Sequence, residues 1–280
     1  MFRALPPRHS CRGFTRNLMK YEFSARTDRG RVRANNEDAV SVDRQAQVAV
    51  LADGMGGYNA GEVASSMATQ FIRTEMVRWL AQARRPGRDV RRALEICVEN
   101  ANLAIFDAAQ ENAQYAGMGT TLVAGVFQDE RLTLAHVGDS RCYRLRAGQL
   151  TQITRDHSWL QEQVDAGLIT PQQAAQSGQR NLVTRALGVE NTVQVETNEF
   201  QVQPQDLYLM CSDGLSEMLG HADLTILTAA DVPLDDKVQR LIDAANARGG
   251  RDNISVVLVQ ADSSAVPRKR GLVSRLLGSA

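Results

Sequence analysis

Val48-Ala49-Val50-Leu51-Ala52-Asp53-Gly54-Met55-Gly56-Gly57 is an apolar run that ends on one carboxylate and a glycine turn. The run reads as a buried strand. Gly54, Gly56 and Gly57 carry no Cβ, so the backbone there can approach an ion or a phosphate closely. Such a stretch builds metal or phosphate sites, but it also serves as ordinary structural punctuation. The rest of the chain argues for the first role. Four further acidic motifs occur: Arg33-Ala34-Asn35-Asn36-Glu37-Asp38, Gly138-Asp139-Ser140-Arg141, Ser212-Asp213-Gly214 and Asp252-Asn253. Each acid is next to Gly, Asn or another acid, and at least four adjoin an apolar strand.

If those strands stack side by side, their carboxylates meet. Several buried carboxylates without cations would repel one another and lose hydration at large cost. Divalent ions remove the difficulty, and all-oxygen ligands suit magnesium or manganese, not zinc or copper. Two such ions can lower the pKa of a shared water and clamp a phosphoryl group for in-line attack. Arg33 could hold two phosphate oxygens with its planar fork; the structural alternative is an ion pair with Glu37 or Asp38.

Short strands are expected at Tyr21–Arg26, Ala39–Val42 and Gln47–Ala52, followed by two helices. Ile72, Met76, Trp79, Leu80 and Ala83 recur at helical spacing, as do Leu94, Val98, Ala101 and Ile105, with Pro86-Gly87 as the break between them. These stripes read as core faces. Segments Thr120–Phe127, Leu132–Val137, Cys142–Leu145 and Gln149–Ile153 read as successive antiparallel hairpins. A helical, then Gln-rich interruption from 157 to about 180 reads as an inserted surface element. Strands resume at Val193–Phe200, Leu207–Cys211 and Ile254–Val259, with helices over Leu224–Ala230 and Lys237–Ala247. Grouped strands and grouped helices imply an α+β layered domain.

Lys and Arg balance Asp and Glu at 32 each, so no global field argues for nucleic acid or a membrane surface. Residues 1–19 hold Arg3, Arg8, Arg12 and Arg16 and no acid, and read as a disordered leader. The folded domain is expected over 20–261, with a basic tail at 262–280. Cys11, Cys97, Cys142 and Cys211 form no Cys-x-x-Cys pair, and three of them sit in apolar stretches as reduced, buried thiols. His9, His136, His157 and His221 are scattered, which argues against zinc held by His and Cys. No apolar run is long enough to span a bilayer and no secretory segment is evident, so a cytoplasmic protein is expected. The chain has no Gly-x-Ser-x-Gly elbow and no Gly-x-x-x-x-Gly-Lys loop. Cys142, between two arginines, is the only candidate for a phosphatase thiolate, and it reads as mid-strand.

In order, the five acidic motifs resemble those of the metal-dependent, type 2C serine/threonine protein phosphatases over roughly residues 20 to 260. The resemblance implies a four-layer α-β-β-α sandwich with two antiparallel sheets, a flap subdomain at about 157–182, and metals in a cleft at one end. It implies that Asp53 bridges two Mn2+ or Mg2+ ions and that the Gly54 carbonyl binds one of them. Asp213 and Asp252 would bind the first ion, Glu37 and Asp38 would act through bound waters, and Arg33 would take the substrate phosphate. Asp139, with Asp213, would hold a third, weaker ion. A metal-bridging hydroxide would attack phosphoserine or phosphothreonine directly. Thr120-Thr121 matches a structural strand start. Many eukaryotic relatives have a proton-donating His where Met55 stands; His157 could replace it, but reads better as a flap anchor. The compact form resembles bacterial stand-alone phosphatases that oppose serine/threonine kinases, and Ser158–Ile169 resembles members associated with type VI secretion. There the partners would be a threonine kinase and its forkhead-associated substrate, and the protein would be a monomer. A small phosphate-ester or sigma-pathway phosphatase, or a silent phosphoprotein-binding module, are the alternatives.

Overall fold

Strand alternation sorts the chain into layers. The computed structural model describes residues 19–57, 60–82, 89–177 and 182–263. Strand β1 (Met19–Asp28), β2 (Asp38–Asp43) and β3 (Val48–Met55) are followed by helices α1 (Ala60–Gln82) and α2 (Val90–Glu111). Then come β4 (Gly119–Thr120), β5 (Leu122–Gln128), β6 (Arg131–Val137), β7 (Arg141–Arg146) and β8 (Gln149–Gln152). Short helices α3 (Trp159–Asp165) and α4 (Pro171–Gln176) precede β9 (Glu196–Gln201) and β10 (Leu207–Cys211). The last elements are α5 (Asp213–Ser216), α6 (His221–Ala229), α7 (Leu234–Ala247) and β11 (Ile254–Ser263).

The strands form two antiparallel sheets, ordered β1-β11-β10-β7-β8 and β2-β3-β5-β6-β9, with β4 added against β3. On β3, Ala49 and Leu51 face the other sheet, whereas Val48, Val50 and Ala52 pack under α1 and α2. On β10, Tyr208 and Met210 face inward while Leu207, Leu209 and Cys211 meet the helical layer that includes α7. This period of two on both sheets yields three buried layers of side chains, hence the α-β-β-α sandwich. Phe127 anchors the inter-sheet layer, with ring centroids 5.7 Å from Phe23 and 5.5 Å from Tyr208. Edge-on aromatic contacts of this kind fix the stacking of the two sheets.

Several expectations need adjustment. The β5–β6 and β7–β8 pairs are hairpins, but β6 and β7 are not paired, because the chain crosses between sheets at Gly138. Gly138 has φ +101°, and a Cβ there would lie 2.7 Å from the Thr121 side chain. Helix α1 begins at Ala60, well before the apolar stripe, because Ala60, Gly61, Ala64 and Ala68 bury small side chains against the sheet. Strand β3 runs on through Asp53, Gly54 and Met55, so the glycine turn starts one strand pair later than expected. Strand β9 starts at Glu196, and Val193 and Val195 pack beside the α1–α2 core as loop residues. Met19 and residues 262–263, expected in the flanking segments, are strand residues. Ala83, the Pro86-Gly87 break, Gln179-Arg180-Asn181, Cys11 and the rest of both tails lie outside the described residues.

Candidate metal centre

The inter-sheet parity that buries Ala49 and Leu51 continues to Asp53. On β2, Asp38 follows the same parity as Val40 and Val42, and the register sets Asp38 directly opposite Asp53. Like charges directly opposite on one sheet face destabilise it. Across the gap, β10 leads into Ser212-Asp213 at the start of α5, β11 is preceded by Asp252-Asn253, and the Gly138 crossing delivers Asp139. All five motifs therefore meet at one end of the sandwich.

Their mutual electrostatics show how close they lie. Burial, then Asp38, Asp213, Asp139 and Asp252, pushes the Asp53 carboxyl well above its ordinary pKa. Burial, then Asp139, Asp252, Glu217 and Asp38, does the same to Asp213. Asp38 is raised to about 6, mainly by burial. Asp139 is also raised to about 6, by burial first and then by Asp156. Glu37 is raised by burial, with Arg33 opposing. Asp38 Oδ1 and Asp213 Oδ1 are buried with no hydrogen-bond partner.

A frame of neutral groups holds these acids in place. Ser212 Oγ donates to Asp38 Oδ2 at 2.7 Å and accepts the Ser255 amide at 2.9 Å. Thr120 Oγ1 donates to the Asp53 carbonyl at 2.8 Å, and Thr121 Oγ1 accepts the Asp53 amide at 3.1 Å. Thr121 also meets Ser140 Oγ at 2.7 Å, which ties the β3 end to the Asp139 crossing. Asn253 Oδ1 accepts the Glu37 amide at 2.7 Å, and its Nδ2 donates to the carbonyls of Arg29 and Asn35 at 2.9 Å. Thr120 and Thr121 are structural, as expected. The roles of Ser212 and Asn253 were not anticipated, although their position beside the acids in two motifs was the available signal.

Gly54 is required by close approach. A Cβ there would lie 2.1 Å from the Gly61 carbonyl oxygen and 2.6 Å from that of Glu37. Arg33 pairs with neither Glu37 nor Asp38: its Nη2 donates to Asp252 Oδ2 at 2.6 Å. The sequence-based alternative is corrected in its partner. With its side chain 51% exposed, Arg33 keeps donors free to face an anion arriving from solvent.

Met55 closes β3 opposite Gly119 and has no proton to give. His157 is buried at the flap root, where its amide donates to the Gly138 carbonyl at 2.8 Å. Its Nδ1 accepts the Gly138 amide at 3.1 Å, and its carbonyl accepts the Thr184 amide at 2.8 Å. That is an anchor. The fold also brings it to His136 and Glu196, with one ligand-type atom from each within 4.8 Å of the others. Because His157 Nδ1 accepts a backbone N–H, its proton sits on Nε2, 3.3 Å from Glu196 Oε2. His157 and Glu196 are thus hydrogen-bonded, while the His136 ring lies against that of His157, centroids 4.6 Å apart, with neither of its nitrogens partnered among the described residues. Cys142 is buried mid-strand and burial pushes its thiol pKa far up, as it does those of Cys97 and Cys211, both to about 12. None of the three is a poised nucleophile.

The donor set fits hard divalent cations. It offers only oxygens, two of them buried without a partner, and among the described residues the ion pair made to it is that of the exposed Arg33 with Asp252. Among the described residues no helix is long and apolar enough to cross a membrane.

The comparisons agree with this geometry. Residues 27–258 match the family model described as protein phosphatase 2C. The serine/threonine protein phosphatase PstP of Mycobacterium tuberculosis is 43% identical over 237 residues, covering 84% of this chain and 44% of the relative. The chain thus spans less than half the length of that protein. The serine/threonine phosphatase stp of Listeria monocytogenes is 38% identical over 87% of this chain and 96% of its own. A crystal structure of the PstP catalytic domain, in complex with two manganese ions, superposes with a TM-score of 0.77 at 38% identity, covering 88% of this chain and all of that one. A continuous match of this extent, over a sandwich whose acids converge at one end, means that this chain belongs to the protein phosphatase 2C family.

Proposed function

We propose that the protein is a manganese- or magnesium-dependent phosphatase of phosphoserine and phosphothreonine in proteins. The observation that carries this reading is the convergence of Asp38, Asp53, Asp139 and Asp213, brought together from separate strand ends with no ion pair to any of them among the described residues. Asp53, the Gly54 carbonyl, Asp213 and Asp252 would hold two ions. Asp139 with Asp213 would hold a third more weakly, and Glu37 and Asp38 would reach the ions through water. Bound there, the ions supply an acidified water and a charge clamp on the phosphoryl group. Arg33 would orient the phosphate by its fork, and Ser212, Thr120, Thr121 and Asn253 would keep the acids in register. Fixed positions matter, because phosphate-ester hydrolysis is slow without dense, preorganised charge.

The catalytic domain would include residues 19–263, the span from β1 to β11, with the flap at 157–182 governing access. Its substrates would be phosphorylated proteins, acted on by a monomer in the cytoplasm that opposes a bacterial serine/threonine kinase. The resemblance of Ser158–Ile169 to type VI secretion-associated members supports a forkhead-associated protein among them. Release of phosphate from a phosphothreonine peptide, with and without manganese, tests the reading. Wild-type turnover should require the metal, and Asp53→Asn should lower it at least about a thousandfold. Undiminished turnover in that variant would sink the role given to Asp53.

A further inference from the structure

Beside the acids, between α5 and the flap helices, lies a cavity of about 370 Å³. Its inner wall is acidic, with Asp139 and Asp213 at the back and Glu217 at the mouth. Its outer wall is apolar, built by Leu160 and Val164 of α3 and by Pro171 and Ala174 of α4. The only cation in the lining among the described residues, Arg141, is already spoken for: its Nε and Nη2 hold Asp156 at 3.0 and 2.6 Å. Glu217 is different. It is exposed, and among the described residues no hydrogen bond or ion pair engages its carboxylate, yet it lies near enough to raise the pKa values of both Asp139 and Asp213.

An apolar wall ending at an unpaired carboxylate is complementary to a long aliphatic stem with a cationic head. Lysine and arginine side chains lie along apolar surface in this way while the head stays partly hydrated. A negative or short apolar side chain would leave either the carboxylate repelled or the cavity unfilled. The cavity is continuous with the acids, so a peptide with its phosphoresidue at the centre has neighbouring residues within reach of it. If ions neutralise Asp139 and Asp213, Glu217 remains as the net charge of the pocket.

We propose that this cavity is a specificity subsite for a basic residue flanking the phosphoresidue, with Glu217 as its selecting group. The proposal deepens the phosphatase reading and rests on it. Glu217 touches no reacting atom; it discriminates among substrates through the side chain beside the phosphate. A partly exposed ion pair worth up to about one kcal/mol corresponds to a preference of roughly fivefold.

The test uses full-length protein in saturating manganese and a phosphothreonine peptide series with a single lysine moved through each flanking position, against the all-alanine parent. p-Nitrophenyl phosphate, which has no flanking residue, is the control. Wild type should show a KM roughly fivefold lower for at least one lysine peptide than for the parent. Glu217→Gln should erase that difference and Glu217→Lys should invert it, each read as the ratio of lysine peptide to alanine parent, so that any change shared with p-nitrophenyl phosphate cancels. A wild type indifferent to lysine, or a lysine preference that survives both substitutions, overturns the subsite while the control still turning over leaves the phosphatase reading standing. Failure of the wild type to hydrolyse any of these substrates overturns both.

Discussion

Strand β10 has a carboxylate at each end, and the two are treated in opposite ways. Asp206, just before it, is 1% exposed and fully accommodated. Arg146 grips it with Nε and Nη2 at 2.7 and 2.6 Å, and the Gln203 amide donates to it at 2.8 Å. Asp213, just after the strand, faces other acids and keeps one buried oxygen without a partner. A buried acid with its own arginine is a structural joint. A buried acid surrounded by acids is one whose neutralising charge comes from outside the chain. Asp206 is the more deeply buried of the two and Asp213 only half-buried, so the identity of the neighbour, not depth, is what leaves Asp213 with an orphaned oxygen.

Substitutions at the two ends should split activity from stability. Asp213→Asn should cost at least about a hundredfold in manganese-dependent turnover, measured at saturating peptide. Asp206→Asn should leave turnover near wild type but destabilise the fold by about 2 kcal/mol, read by urea titration, since Arg146 then loses its charged partner. Equal effects of the two on activity would erase the distinction. A smaller effect has the opposite sign. In chelator, Asp213→Asn should raise the midpoint of thermal unfolding by a few degrees, because it removes one charge from a repelling group. Excess magnesium should abolish that advantage.

The pH dependence of the metal-free protein sharpens the point further. Asp38 and Asp139 have folded pKa values of about 6, above the unfolded value near 3.9. The folded state therefore binds more protons than the unfolded state between those values, and stability rises as pH falls through about 6. Asp53 and Asp213 push the same way. His136, lowered to about 4, and His157, also lowered, each by burial first, push the other way below about 6.5. With four acids against these two, the chelated protein should unfold at a higher temperature near pH 5.5 than near pH 7.5, by scanning calorimetry. Saturating magnesium should flatten or reverse that trend.

Much of this was legible in the sequence because it depends on local periodicity. The alternation that buries Ala49 and Leu51 also aims Asp53, and the stripes at 72–80 and 94–105 mark the helices that cover one sheet. What was hidden depends on pairing between distant strands. Whether β6 pairs with β7 is decided at Gly138, where the chain changes sheets, and two hairpins on different sheets have the same local pattern as two on one. The partner of Arg33 is more than two hundred residues away in sequence, so nearer acids looked the natural choice. His136 and His157 meet because the crossing at Gly138 folds the flap root back onto β6, which no spacing of histidines reveals. The small-residue start of α1 left little apolar signal for periodicity to detect, since alanine and glycine bury well without marking a stripe.

The pairing of β1 with β11 has a consequence in time. Met19 lies opposite Ser263 and Asp28 opposite Ile254, so among the described residues the first strand in chain order is hydrogen-bonded to the last. During translation at 5–20 residues per second, β1 must wait roughly ten seconds or more for its neighbour. Lys20, Glu22 and Arg26 along its length are the charges that discourage a waiting strand from joining another chain. Asp252, two residues before β11, comes off the ribosome in the same closing stretch. A nascent chain therefore brings Asp252 to the other acids only once β11 has been made and can seal its sheet.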